Sequence, residues 1–317
     1  MKTMKWLLQR ELWENKGMLF WTPVVVAALM AAVSLAAVLA GGTMNYGDGR
    51  DVHIGAVVIT DTPLRMMGEV IANSYIVTAM PILLILGLLV FFYCLGALHD
   101  ERSDRSLLFW KSLPVSDRMT VLSKAATALV VAPLIVFVVG IALSLLMLAI
   151  GCFALLSHGT NAFGAILSQP GFYLAPLELI ALLPVYLLWA LPSVGWLLLV
   201  SSWARSKVFL WAVGVPLAIG LALLWAQRGL GMNIDGSWFL GTITSRALLG
   251  VAPGAWFMFE QISPAALTSG ADHHPNVGTI LNASWLTLGS IGVWVGAAAG
   301  VAMIAGATWM RRWREEN

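Results

Sequence analysis

The uncharged run Pro81-Ile82-Leu83-Leu84-Ile85-Leu86-Gly87-Leu88-Leu89-Val90-Phe91-Phe92-Tyr93-Cys94-Leu95-Gly96-Ala97-Leu98 is closed at once by His99-Asp100-Glu101-Arg102. Its apolar residues are continuous rather than alternating, which argues for a helix and against a strand of a membrane barrel. Extended back to about Ile71, it exceeds the roughly 20 apolar residues that a helix needs to cross a bilayer core. Five further stretches read the same way, at about 19–41, 124–151, 173–200, 208–227 and 286–309. The first of these is longer than the apolar core of a signal peptide and is flanked by Glu11 and Glu14, so it reads as an uncleaved span. The expected fold class is all-α: a polytopic membrane protein with six transmembrane helices.

Composition agrees. Of 317 residues, 59% are hydrophobic and only 11% charged, against roughly 25% charged in a soluble domain. Such a chain cannot cover itself with polar groups, and disordered, coiled-coil and disulfide-rich classes are excluded. A net charge of +2 gives no reason to expect nucleic acid as a partner. The two cysteines, Cys94 and Cys152, map to opposite membrane faces and read as small buried hydrophobes.

The basic residues orient the chain. Fourteen of the 18 Lys and Arg fall on one side of the six-span map, among them Lys2, Arg10, Arg102, Lys124, Lys207 and Arg311; only Arg50, Arg65, Arg228 and Arg246 fall on the other. By the positive-inside rule both termini are expected in the cytoplasm; the membrane is read as a bacterial inner membrane, which the charge bias itself does not name. Two long segments lie outside, 42–70 and 228–285; the second holds apolar pieces at Trp238–Gly250 and Ala255–Ile262, broken by Pro253-Gly254, that are too short to span and read as interfacial or re-entrant helices. Trp21, Trp203, Trp225, Trp285 and Trp309 stand at span ends, as an interfacial belt requires.

Small residues recur every fourth position in the first helix, at Ala28, Ala32, Ala36 and Ala40, and in the last, at Gly292, Gly296 and Gly300. Both stripes suit close helix packing in lipid, where small side chains let backbones approach. Pro81, Pro133 and Pro216 each interrupt one span, and Pro176, Pro184 and Pro192 all fall in the fourth, where bends are expected. Glu178 is the one acidic residue inside a span. It lies near the outer end, so it reads either as an interfacial carboxylate or as a substrate or ion ligand.

Catalytic signatures are missing. The chain has no glycine-rich phosphate loop ending in Gly-Lys-Ser/Thr, no paired-cysteine motif and no His-Glu-x-x-His. Asp272-His273-His274 reads as a solvated loop rather than as metal ligands. No cofactor or metal is expected on this chain.

The segment His99 to Lys124 carries the functional signal. A mixed-charge cluster, Asp100-Glu101-Arg102-Ser103-Asp104-Arg105, precedes the apolar knob Leu107-Leu108-Phe109-Trp110 and then Leu113-Pro114-Val115-Ser116. Ser116 stands where it can cap a new helix, with Asp117 in the first turn. Four large apolar residues on a cytoplasmic loop need burial, either in the membrane interface or in a groove on a partner; aromatic anchors ringed by charge have the composition of a binding hot spot.

This segment resembles the loop of type-2 ABC exporter permeases, in which an acidic-basic cluster ends the second helix, a short Ser-Leu stretch and a Leu-Pro-Val-Ser element follow, and a Lys opens the third helix. Here these are Asp100-Glu101-Arg102, Ser106-Leu107, Leu113 to Ser116 and Lys124, with Arg105 where those chains often have Gly. The resemblance implies that the loop is a coupling helix seated on an ATPase and that Met4 to Lys16 forms an elbow helix on the inner surface. It further implies two ATPase subunits carrying ATP and Mg, and a second permease copy or a homologous permease. The function it implies is export of a hydrophobic or amphipathic substrate, such as a lipid, peptide or antibiotic-like compound, with this chain itself not an enzyme. A membrane scaffold and a polytopic membrane enzyme are the alternatives, since fold does not fix function.

Overall fold

A computed structural model of the protein describes residues 2–40, 44–46, 50–52, 64–103, 116–157, 160–233, 235–263, 267–269 and 274–314. Nearly all of them are helical. Six helices are long and apolar enough to cross a membrane: Gly17–Leu39, Gly68–Glu101, Asp117–Ser157, Pro170–Trp203, Val208–Gly229 and Ile291–Arg311. The chain is an all-α, multi-pass membrane protein. Two small antiparallel pairs, Met44–Tyr46 with Arg50–Val52 and Thr268–Ser269 with His274–Pro275, lie in the connecting segments. The last span opens at Ile291, five residues later than the apolar run suggests. A separate helix, Val277–Leu286, and a tight turn at Thr287–Gly289 come first, and Ser290 is extended with ψ 135°.

Several prolines coincide with changes in helix type or with breaks in the spans. Pro23 and Pro133 each follow a widened π-turn, in which the Thr22 N–H donates to the Gly17 carbonyl and the Ala132 N–H to the Thr127 carbonyl. Proline lacks an N–H and crowds the turn before it, and a local widening of that turn gives the ring room. The fourth span is interrupted at Leu182, between Pro170–Ala181 and Leu183–Trp203, with Pro184 in the first turn of the second half.

That second half is the centre of the bundle. Tyr186, Trp189, Val194, Leu197 and Leu198 are fully buried on it, and its broadest contact is with the last span. Lipid gives helices no hydrophobic reason to associate, so fit and hydrogen bonds must hold them. At one end, Ser201 Oγ accepts from the N–H groups of Leu98 and His99 and donates to the Leu95 carbonyl, tying the end of the second span to the fourth. Trp21, Trp203, Trp225 and Trp309 are exposed near span ends, and Trp285 is exposed on the separate helix Val277–Leu286 that precedes the last span.

Between the fifth and last spans, Gly236–Trp238, Phe239–Thr244 and Ser245–Leu249 form a nearly continuous helix that runs back alongside the fifth span without crossing. Gly236 sits on the backbone of Leu223 and Leu224, and Thr244 Oγ1 donates to the Pro216 carbonyl at 3.3 Å. The chain then turns at Gly254, whose φ of +85° suits glycine, into Ala255–Phe259. Arg246 fastens this non-spanning piece. Its guanidinium lies 4.3 Å over the Trp189 ring, which stacks on Phe259, and donates to the Gly292 carbonyl at 3.0 Å. Arg246→Met keeps the stem but removes both interactions, and should cost about 1–2 kcal/mol. An unchanged unfolding midpoint in detergent would mean that apolar packing alone holds the segment.

Candidate functional site

The N-terminal helix Lys2–Glu14 and the C-terminal end of the last span lie at the same end of the bundle, where Arg10 and Arg311 both reach Glu101. The helix is two-faced. Leu7 and Glu11, four residues apart, are buried together, whereas Trp6 and Trp13, seven apart, are 70% and 66% exposed. Leu7 therefore stands outside the tryptophan stripe because it faces the bundle.

Glu11 is the residue that sequence reasoning passed over. Its carboxylate is 1% exposed and accepts from Tyr93 Oη at 2.8 Å and from Lys124 Nζ at 2.9 Å. Lys124, 3% exposed, also meets Glu101 at 3.0 Å. Glu101 in turn accepts from Arg311 at 3.1 Å and Arg10 at 3.5 Å, and Arg311 Nε lies 3.3 Å from Asp117. One ionic network thus joins the N-terminal helix, the end of the second span, the start of the third and the end of the last. Buried charges are tolerated only when paired and hydrogen-bonded, and each charge in the Glu11–Lys124–Glu101 centre has such partners.

No family model, curated protein or solved structure matches the chain.

The network sets the base of the loop singled out in the sequence. Asp100, Glu101 and Arg102 belong to a short helix, His99–Ser103, that continues the second span. Asp104, Leu107, Leu108, Phe109, Trp110, Leu113 and Pro114 lie outside the described residues. The third span starts at Asp117. Ser116 occupies the cap position through its carbonyl, which accepts from the N–H groups of Met119 and Thr120, while its side chain makes no capping bond. Glu101 on one side of the loop and Lys124 on the other are thus in direct contact.

A half-open cavity of about 640 Å³ lies beside this network. Arg10, Glu14, Asp100, Glu101 and Lys124 give it charges of both signs, and Gly17, Phe92 and Gly96 give it small and apolar walls.

The remaining expected positions separate. Glu178 is half-buried at the opposite end of the bundle. Its carboxylate comes near Gly278, in the first turn of the helix Val277–Leu286, where the partial positive charge of a helix N-terminus favours it. Gly300 lies against the fourth span, where a Cβ would come within 2.5 Å of the Leu191 carbonyl oxygen. Gly292 and Gly296 make room for the Arg246 guanidinium. Ala28, Ala32 and Ala36 are exposed, because the first span turns Pro23, Ala31 and Ser34 inward instead. Among the described residues, no three His, Cys, Asp or Glu side chains group as metal ligands would.

Proposed function

We propose that the chain is the transmembrane permease subunit of an ATP-driven ABC exporter. In this reading it moves a hydrophobic or amphipathic substrate with energy from separate ATPase subunits that hold ATP and Mg, and it works beside a second permease copy or a homologous permease. The basic end of the bundle faces the cytoplasm of a bacterium, in keeping with the 14 basic residues on that side.

The observation that supports the reading best is the contact between Glu101 and Lys124 across the base of the loop. A partner that grips residues 104–115 would push on a base already linked by charge to the N-terminal helix through Glu11 and to the last span through Arg311. The push would then move several helices as one body, which is what a switch between two access states needs. The exposed Trp6 and Trp13 suit a helix lying in the head-group layer, the place of an elbow helix.

The test is the double change Phe109→Ala with Trp110→Ala. Truncating aromatic anchors should cost about 2 kcal/mol or more each in partner binding, so the ATPase should no longer co-purify while the permease stays folded and monodisperse. Full co-purification with normal transport would defeat the reading.

A further inference from the structure

The charged cavity next to Glu101 lies at the level of the span ends. The first span begins at Gly17 on one wall and the second span ends through Tyr93, Gly96 and Ala97 on the other. Its volume falls in the range of about 300–1,000 Å³ that small-molecule sites occupy. Below it the second span presents Leu84, Leu88 and Phe92, spaced four residues apart on one face and each more than half exposed. This apolar track runs from the middle of the span to the cavity wall that Phe92 itself forms. Polar at the head, apolar along the approach, and placed at the membrane boundary, the site has the profile of a phospholipid.

We propose that the cavity binds the head group of a zwitterionic phospholipid bearing a primary amine, with one acyl chain along Leu84, Leu88 and Phe92. The charges match both ends of such a head group. Arg10, partly exposed and already bonded to Glu14 and Glu101, adds donors for a phosphate, and the exposed carboxylates of Glu14 and Asp100 add acceptors for an ammonium with three N–H groups, while the buried Lys124–Glu101 pair forms the floor behind them. A choline head group offers no N–H to these carboxylates, and a glycerol head group offers no positive charge. The site stands apart from the transport reading, since it depends on the cavity and the track alone. Where the chain does move a substrate, a lipid wedged between the N-terminal helix and the second span would sit against the same ionic network.

The full chain, stripped of lipid in detergent, is titrated by native mass spectrometry with phosphatidylethanolamine, phosphatidylcholine and phosphatidylglycerol of equal chain length. Phosphatidylethanolamine should bind about tenfold more tightly than either of the others. Glu14→Gln, a change at a half-exposed side chain, should reduce that preference severalfold. Gly17→Trp should abolish the preferred binding, because Gly17 lines the cavity and a Cβ there meets nothing within 4 Å, so the bulky side chain is added without moving backbone. Free phosphoethanolamine should compete poorly, since it lacks the chain that lies on the track. Equal binding of the three lipids, a Gly17→Trp protein that keeps the preference, or full competition by free phosphoethanolamine would each overturn the proposal.

Discussion

Replacing Lys124 with Met should be among the most damaging single changes available to this chain, at about 3–5 kcal/mol. The side chain is 3% exposed and holds two carboxylates at once, Glu11 at 2.9 Å and Glu101 at 3.0 Å. Removing it leaves both with their desolvation unrelieved. The burden falls mainly on Glu11, which among the described residues keeps only the Tyr93 hydroxyl, whereas Glu101 retains Arg311 and Arg10. The second change follows from that asymmetry. Glu11→Gln removes the stranded charge yet can still accept from Tyr93, so Lys124→Met with Glu11→Gln should recover a large part of the loss. Equilibrium unfolding in mixed micelles reads both proteins, and the coupling between the sites comes from the double-mutant cycle. A cost below about 1 kcal/mol for Lys124→Met, or no recovery in the double variant, would mean that the network contributes little to holding the four elements together.

The network and the spans differ in how far they can be read from sequence, and the reason is distance along the chain. A span is local: about 20 apolar residues in a row meet the one requirement that lipid sets. All six apolar runs correspond to helices, and the discrepancies lie at their ends, where Ser290 breaks the last run and a π-turn carries the first back to Gly17. The short helices before the last span were legible too, as interfacial or re-entrant pieces, because Pro253-Gly254 punctuates aromatic segments too short to span. The ionic network has no local mark. Tyr93 and Glu11 are 82 residues apart, Lys124 and Glu11 are 113 apart, and Arg311 and Glu101 are 210 apart. In the sequence Tyr93 read as part of an apolar run, Glu11 as a flank, Glu101 as part of the loop's charged cluster, Lys124 as a helix opening and Arg311 as a topology signal. Only the meeting of four helix ends turns them into one structure.

Small-residue periodicity shows the same limit in a sharper form. The first and last spans carry equally regular stripes, but Ala28, Ala32 and Ala36 face outward while Gly300 is pressed against the fourth span. The period marks a face on which another backbone can come close. Which face finds a partner within the chain depends on the bundle, and here the last span is pinned by Arg246 at one end and by Arg311 at the other.

The Gly300 contact can be tested by the smallest possible addition. A Cβ at Gly300 would lie 2.5 Å from the Leu191 carbonyl oxygen, 2.6 Å from its carbon and 2.8 Å from the Pro192 nitrogen. All three atoms are backbone, so no rotamer change can make room. Gly195 faces it in return, with its own Cβ position 2.5 Å from the Gly300 carbonyl oxygen. Gly300→Ala must therefore push the fourth and last spans apart along their broadest contact, at a cost of about 2–3 kcal/mol. Gly306 on the same span is the control. Its Cβ position comes no closer than 3.4 Å to a heavy atom, the end of the Leu199 side chain, so Gly306→Ala should be neutral or slightly stabilising, as replacing a helical glycine usually is. Opposite signs for the two substitutions in thermal unfolding identify close backbone approach as the cause. Two alanine variants that unfold alike would show that the spans can separate freely, and that the glycines reflect composition rather than contact.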